Sequence, residues 1–206
     1  MLVLFRNQHL FSFPLLLAYC FIIKIGFLIF PNGAHLAYQK YYASFDNILG
    51  NQSTNFFISV FLIFIQSIWF NIIVSKTKIL EDKSFGPGMV FCTISTLFAE
   101  FNYFNLPLIV NFGILFLLDQ MVSMQNYSYA QGRYFNIGFI SGLLGLVHAD
   151  FLVLLPISIF CLLAIKPILF REFLIFLLAF ITPFYVFFGV GYVMDQFPQI
   201  DIKSHF

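Results

Sequence analysis

The chain has 206 residues, of which 61% are hydrophobic and only 9% are charged. Soluble domains carry roughly 25% charged residues, so this composition excludes a water-soluble globular protein. Ten basic and nine acidic residues leave a formal net charge of +1, and this balance indicates no attraction to nucleic acid. The composition therefore predicts an integral membrane protein.

Seven apolar runs have the lengths of membrane helices or of short helical hairpins. A helix needs about 20 apolar residues to cross a bilayer core of about 30 Å, and lipid favours helices because it leaves no backbone group a water partner. The predicted helices are residues 10–30, 55–75, 85–101, 105–122, 134–148, 150–168 and 171–194. The prediction is an all-α, polytopic transmembrane helical bundle of about seven helices, with two short glycine-rich hairpins formed by the third to sixth.

The longest polar connection, residues 31–54, has the pattern of an outer amphipathic loop. Its segment HLAYQKYYASFDNIL spaces apolar and aromatic side chains almost as a helix does, and tyrosines suit the headgroup layer. We expect one outer interfacial helix in this loop and a short polar tail over residues 195–206. The whole chain, 1–206, is predicted to form a single integral membrane domain.

The distribution of lysine and arginine predicts the orientation in the membrane. If the N-terminus is cytoplasmic, seven basic residues fall on the inner side, and only Lys40 and Lys203 fall on the outer side. Cytoplasmic loops carry such an excess. We therefore predict a multi-pass protein of the bacterial inner (cytoplasmic) membrane with a cytoplasmic N-terminus. The seven inner residues are Arg6, Lys76, Lys78, Lys83, Arg133, Lys166 and Arg171.

The segment GLLGLVHADFLVLLP contains the polar step His148-Ala149-Asp150 inside an apolar stretch. Residues 134–165 would form a helix of about 48 Å if they were unbroken, which is too long for one crossing. We predict a break at this step, with Asp150 capping the next helix, where the helix dipole favours a negative charge. A turn at the outer surface accounts for both polar residues without any chemistry.

Four ionisable side chains are predicted to gather on the outer side: Asp46, Glu100, His148 and Asp150. Carboxylates and a histidine near a membrane surface can bind a divalent cation or act as acid and base, so these four are the candidate catalytic residues. The competing interpretation is that they only occupy turns and surface loops. No motif typical of a metal, haem or nucleotide site is present, and we expect neither a metal nor a cofactor.

Gly138, Gly142 and Gly145 recur on nearly one face of a short predicted helix, with Ser141 beside them. A face of small residues lets another helix approach closely. We expect this glycine face to be a helix-packing surface that joins the chain to a second copy or to a partner. The alternative is a face opened for a lipid or substrate chain.

Lys24 is the one charged residue clearly inside a predicted span, five or six residues from the outer end of that span. A charge within the membrane is by default a functional hypothesis, but a lysine stem can reach the headgroups from this depth, and we expect it to do so. The three cysteines, Cys20, Cys92 and Cys161, are far apart in the sequence. They predict no disulfide or metal framework, and each is expected to be a small apolar filler.

The order of motifs in this chain resembles a family of uncharacterised multi-pass inner-membrane proteins of Bacteroidota. The resemblance covers roughly residues 60–190, through the segments NIIVSKTKILEDKSFGPGMVF, STLFAEFNYFNLPLIVNFGILFLLDQM, FNIGFISGLLGLVHADFLVLLP and REFLIFLLAFITPF. The residues at the family's recurrent positions are Asn111, Gly138, Gly142, Arg171, Glu172 and Pro183. The resemblance implies a membrane fold and no activity. His148 and Asp150 stand where the family tends to have aromatic residues.

The layout of a first span, an outer amphipathic loop and short glycine-rich hairpins also resembles the C-type membrane glycosyltransferases, which use polyprenyl-phosphate-linked sugars. That resemblance implies Asp46 as the catalytic base. Those enzymes usually show an acidic pair in this loop, whereas Asp46 is followed by Asn47.

The sequence favours a non-enzymatic multi-pass membrane protein, a subunit or scaffold of a cell-envelope membrane complex. The alternative is a C-type-like glycosyltransferase, or an inactive relative, acting on polyprenyl-phosphate-linked sugars at the outer face. A small transporter is a third hypothesis. A transporter needs a polar path through the membrane, and Lys24 and a few amides are the only polar side chains that the sequence offers for such a path. The expected partners are membrane lipids and either other integral membrane subunits or a second copy of the chain.

Overall fold

A computed structural model describes residues 12–29, 52–77, 85–98, 101, 104–124, 131–165 and 169–193. These residues form seven α-helices and one short 3-10 helix, and none of them lies in a β-strand. The α-helices are α1 (Ser12–Ile29), α2 (Gln52–Lys76), α3 (Gly86–Leu97), α4 (Leu106–Met124), α5 (Gln131–Val147), α6 (Leu154–Ile165) and α7 (Phe170–Val193). The predicted all-α class is confirmed for this part of the chain.

Three of the helices are long and apolar enough to cross a membrane, and three shorter ones are apolar along their length. The long segments are Thr54–Lys76, Leu106–Met124 and Phe170–Val193. The shorter segments are Phe13–Ile25, Gly86–Leu97 and Ala149–Ile165. At 1.5 Å per residue, the 24 residues of α7 extend about 36 Å, which exceeds the thickness of a bilayer core. The chain therefore has the segments of a membrane protein.

The helices cluster into two compact units, Met1–Val122 (unit 1) and Ser123–Phe206 (unit 2). Unit 1 contains α1, α2, α3 and almost all of α4, and unit 2 contains α5, the 3-10 helix, α6 and α7. The single domain expected over residues 1–206 stays a prediction.

Within unit 1, α1 and α3 run parallel. The rings of Phe13 and Phe85 pack edge to face, with 4.9 Å between their centroids. About two turns further along both helices, the side chain of Cys20 contacts that of Cys92. Because both contacts lie seven residues apart on each helix, the two helices advance in the same direction. They also share the apolar core of unit 1 with α2 and α4.

The other two helices of unit 1, α2 and α4, run parallel to each other. Gln66 Nε2 donates a hydrogen bond to the carbonyl oxygen of Leu108 at 2.7 Å. Further along both helices, Lys76 Nζ lies 2.5 Å from Asp119 Oδ1. Since the contacts advance together along α2 and α4, the ends of these helices at Lys76 and Asp119 lie at the same level.

The pair α1 and α3 runs opposite to the pair α2 and α4. Cys20 lies beside Ser67, whereas Lys24, one turn later on α1, bonds to Ser59, which comes earlier on α2. The contacts therefore move in opposite directions along the two helices. Unit 1 is therefore an up-down-up-down arrangement of four helices.

Unit 2 is built around the parallel helices α5 and α7. Gly138 lies against Phe176, and Gly142, one turn later, lies against Phe180. The α-helical conformation ends after α5, as predicted from the length of the apolar stretch. The 3-10 helix Ala149–Val153 then connects α5 to α6. The predicted outer interfacial helix (31–54) and the polar tail (195–206) lie outside the described residues, except that residues 52–54 belong to α2.

Candidate functional site

Two of the four candidate catalytic residues, Asp46 and Glu100, lie outside the described residues. The other two meet at the turn between α5 and the 3-10 helix, where His148 Nδ1 lies 3.3 Å from Asp150 Oδ2. Their side chains are 50% and 85% exposed. The structure therefore brings His148 and Asp150 together on the surface of unit 2.

The cap at this turn is His148 rather than Asp150, so that detail of the sequence prediction was wrong. His148 has an extended backbone and its Nδ1 accepts a hydrogen bond from the backbone N–H of Asp150 at 3.4 Å. An N-cap side chain binds the N–H two or three residues ahead, and Asp150 is too far along the 3-10 helix to do so. Asp150 does lie in the first turn, where a negative charge is favourable.

The glycine face of α5 is covered by α7 of the same chain. A Cβ atom on Gly138 would collide with the carbonyl oxygen of Phe176, and one on Gly142 would collide with that of Phe180. Only glycine lets the two backbones approach so closely. The expectation that this face contacts a second copy or a partner therefore does not hold at these positions.

The two remaining members of the glycine face serve unit 2 in other ways. A Cβ atom on Gly145 would lie 2.7 Å from Leu152 Cδ2, so this glycine makes room for the 3-10 helix. Ser141 is fully buried, and its hydroxyl donates to the carbonyl oxygen of Gly138 at 2.8 Å. All four residues of the glycine face are therefore packed against other residues of unit 2.

Lys24 is fully buried, so the prediction that its side chain reaches the headgroups was wrong. Its Nζ donates to Ser59 Oγ and to the carbonyl oxygen of Phe101, both at 2.9 Å. The Ser59 hydroxyl in turn donates to the carbonyl oxygen of Phe56 at 2.8 Å. The lysine turns into unit 1 because these oxygens replace the water that its amine loses. We call Lys24, Ser59 and Phe101 the lysine cluster.

A cysteine pair lies next to the lysine cluster. Cys20 precedes Lys24 by one turn on α1, and its Sγ lies 2.7 Å from Cys92 Sγ on α3. Both side chains are fully buried. The sequence offered one signal for this site, the spacing of four that puts Cys20 and Lys24 on one face of a helix. It offered none for the approach of Cys92.

Buried polar side chains also occur along the length of α2. Asn55 and Asn71 are the first and last of them, sixteen residues apart, which corresponds to about 24 Å of helix. Each has a side-chain oxygen without a hydrogen-bond partner among the described residues. The buried polar residues of α2 are Asn55, Ser59, Gln66, Ser67 and Asn71.

The side-chain amide of Gln66, in the middle of α2, joins this helix to α4. Gln66 donates to Leu108, as described above, and Asn111 Nδ2 donates to Gln66 Oε1 at 3.0 Å. These two hydrogen bonds join the side chain of Gln66 on α2 to the backbone and to a side chain of α4. Such bonds contribute about 1 kcal/mol or less each in membranes.

In unit 2 the buried acid Glu172 closes the first turn of α7. It is 7% exposed, and its Oε2 accepts a hydrogen bond from the backbone N–H of Leu169 at 3.2 Å. A carboxylate at this position satisfies an unpaired N–H and the helix dipole together. Glu172 therefore has a structural role that accounts for its burial.

No three His, Cys, Asp or Glu side chains within the described ranges come together to hold a metal ion. Comparison with protein-family models, with curated proteins and with solved structures found no match for the chain.

Proposed function

We propose that the chain is a polytopic protein of the bacterial inner membrane and acts as a non-enzymatic subunit of a membrane complex in the cell envelope. The buried polar groups support this role, because Lys24 and Gln66 form hydrogen bonds that join one helix to another segment of unit 1. A body made rigid in this way suits a scaffold. The observation that carries the proposal lies at the end of α7.

The last third of α7 is exposed around its whole circumference. Successive residues of a helix are about 100° apart, so six exposed residues in a row, 185–190, cover every face. Tyr185 is 77% exposed and Val190 is 53% exposed. Lipid covers apolar surface as well as protein does, so exposure by itself does not call for a partner.

Gly189 is the residue in this segment that indicates contact with a partner helix. A Cβ atom at Gly189 meets nothing within 4 Å, in contrast to Gly88, Gly138 and Gly142, whose Cβ atoms would press on neighbouring backbone. A glycine inside a helix costs about 1 kcal/mol relative to alanine. Close approach by another helix offsets such a cost. We infer that a helix of another integral membrane subunit packs against α7 at Gly189.

Replacing Gly189 with leucine will abolish co-purification of that subunit in mild detergent, because the side chain holds the partner helix away. The measurement is a pull-down of the tagged chain followed by mass spectrometry. Gly132→Leu is the matched control, since Gly132 also has open space around its Cβ but lies in the first turn of α5. It should retain the partner.

One outcome of this experiment would contradict the subunit role, and another would contradict the interface at Gly189. A wild-type chain that always purifies alone and monomeric has no partner to lose. Retention of the partner by Gly189→Leu would place the interface elsewhere. Sugar transfer from a polyprenyl-phosphate donor that Asp46→Asn abolishes would instead support the glycosyltransferase alternative, whose proposed base lies outside the described residues.

The proposed orientation has a cytoplasmic N-terminus and an outer C-terminal tail. Arg133 and Arg171 lie in the first turns of the parallel helices α5 and α7, so both stand at the same end of unit 2. Cytoplasmic ends of membrane helices carry such basic residues. The likeness to the inner-membrane proteins of Bacteroidota is part of the same proposal and adds no activity to it.

Cysteine labelling will distinguish this orientation from its reverse. In spheroplasts, a membrane-impermeant maleimide should label Ser204→Cys in the tail, whereas Ser128→Cys, between α4 and α5, should react only after the membrane is opened. The reason is that three of the proposed crossings, α5, α6 and α7, lie between these two positions. An odd number of crossings puts the two positions on opposite sides of the membrane. The reverse pattern would contradict the orientation.

A further inference from the structure

We propose that Cys20 and Cys92 are oxidised to a disulfide, which ties α1 to α3 inside the apolar core of unit 1. The two side chains come from helices that run parallel, and their Sγ atoms lie 2.7 Å apart. Both are free thiols in the structure. Nothing in the function proposed above depends on this bond.

The distance between the two sulfurs favours a disulfide over a shared metal ion. Two thiolates on one zinc ion, with bonds of about 2.3 Å at a tetrahedral angle, hold their sulfurs about 3.8 Å apart. A disulfide brings them to about 2.05 Å. At 2.7 Å, Cys20 and Cys92 are already closer than a bridging metal would allow. A small movement of either side chain completes the covalent bond.

The surroundings of the pair limit which oxidant reaches it. Both sulfurs are fully buried and belong to the apolar cluster that includes Leu16, Phe85 and Leu108. Any oxidant reaches these sulfurs only when α1 and α3 move apart, and in the proposed bilayer that opening admits lipid rather than water. A lipid-soluble quinone shares the hydrocarbon solvent of the helices, and it is therefore the oxidant that we assign to the reaction.

The reaction balances with a quinone as the only co-reactant. One thiol loses its proton and its sulfur bonds to the quinone, and the second sulfur then displaces the reduced ring to form the S–S bond. The two thiols lose two electrons and two protons in total. The quinone gains both and leaves as a quinol. Reduction of the disulfide by a dithiol reverses the process.

The third cysteine provides an internal control. Cys161 lies in α6 of unit 2 and is only partly buried. Because Cys20 and Cys92 are both in unit 1, the proposed bond leaves Cys161 as a free thiol. Counting the thiols of the denatured chain therefore distinguishes the oxidised from the reduced state.

The test is to count thiols in membranes from aerated cells. The membranes are quenched in acid, dissolved in denaturing detergent, and treated with a polyethylene-glycol maleimide that adds one visible mass step per thiol. We expect one step without reductant and three after reduction. Cys20→Ser and Cys92→Ser should each show two steps without reductant, and Cys161→Ser should show none. Three steps in the unreduced wild-type chain would overturn the proposal.

A second experiment tests the oxidant on the intact chain in lipid vesicles. After reduction and removal of the reductant, a short-chain quinone should restore the one-step pattern, whereas oxidised glutathione at the same concentration should leave three steps. Re-oxidation by glutathione as fast as by the quinone would overturn the role of a lipid-soluble oxidant. Failure of the quinone to restore the one-step pattern would likewise overturn its role as the oxidant.

Discussion

Replacing Gly142 with alanine will destabilise unit 2 by about 3 kcal/mol. The added Cβ atom would collide with the carbonyl oxygen of Phe180 and would lie 2.9 Å from Pro183 Cγ. Neither neighbour moves easily, because one is backbone and the other is a ring inside α7. The helices α5 and α7 must separate, and the dispersion contacts along the whole of their interface weaken.

The measurement is thermal unfolding of the purified chain in detergent, where about 3 kcal/mol corresponds to a fall of roughly 6–12 °C for a chain of this size. Gly132→Ala is the matched control on the same helix, because its new Cβ atom meets open space. It should unfold at the same temperature or slightly higher, since alanine is the better helix former. Equal loss by both variants would mean that α5 does not pack on α7 through its glycines.

Replacing Lys24 with alanine will destabilise unit 1 by about 4 kcal/mol. The substitution leaves a cavity in a fully buried position and removes the donor that serves the carbonyl oxygen of Phe101. The Ser59 hydroxyl keeps its bond to the carbonyl oxygen of Phe56. The loss therefore comes mostly from the empty volume, with a smaller part from the carbonyl oxygen left unpaired.

Lys24→Met separates these two contributions. Methionine fills a similar volume without the amine, so it should cost only about 1 kcal/mol for the two lost hydrogen bonds. Thermal unfolding in detergent measures both variants. If methionine is as harmful as alanine, the amine itself holds the lysine cluster together. If both variants unfold like the wild-type chain, Lys24 has no structural role, and its burial requires a functional explanation.

The lengths of the apolar runs were enough to find the helices. The prediction of 105–122 and 171–194 agrees within two residues with α4 (Leu106–Met124) and α7 (Phe170–Val193). Lipid leaves the backbone no alternative to internal hydrogen bonds, so an apolar run of sufficient length determines a helix by itself. Local chemistry also marks helix starts, as where Asn105 Oδ1 accepts from the backbone N–H of Leu108 at 3.2 Å.

The position of the break after α5 followed from local sequence, but its cap did not. A stretch too long for one crossing must turn at its most polar step, and α5 ends at Val147 as expected. Whether His148 or Asp150 caps the turn depends on which residue adopts the extended backbone. That choice is made by the packing around the turn, which the sequence does not show.

The sequence by itself determined the membrane class, the helical fold and the approximate ends of the helices, because these depend on interactions within about one turn. Tertiary structure decided the partners of the polar and small residues. Lys24 turns inward because Ser59 and Phe101, far away in the sequence, present acceptors to it. The glycines of α5 serve α7 rather than another subunit because two helices separated by α6 run parallel. Such long-range register arises from packing and leaves no trace in the spacing of residues along the chain.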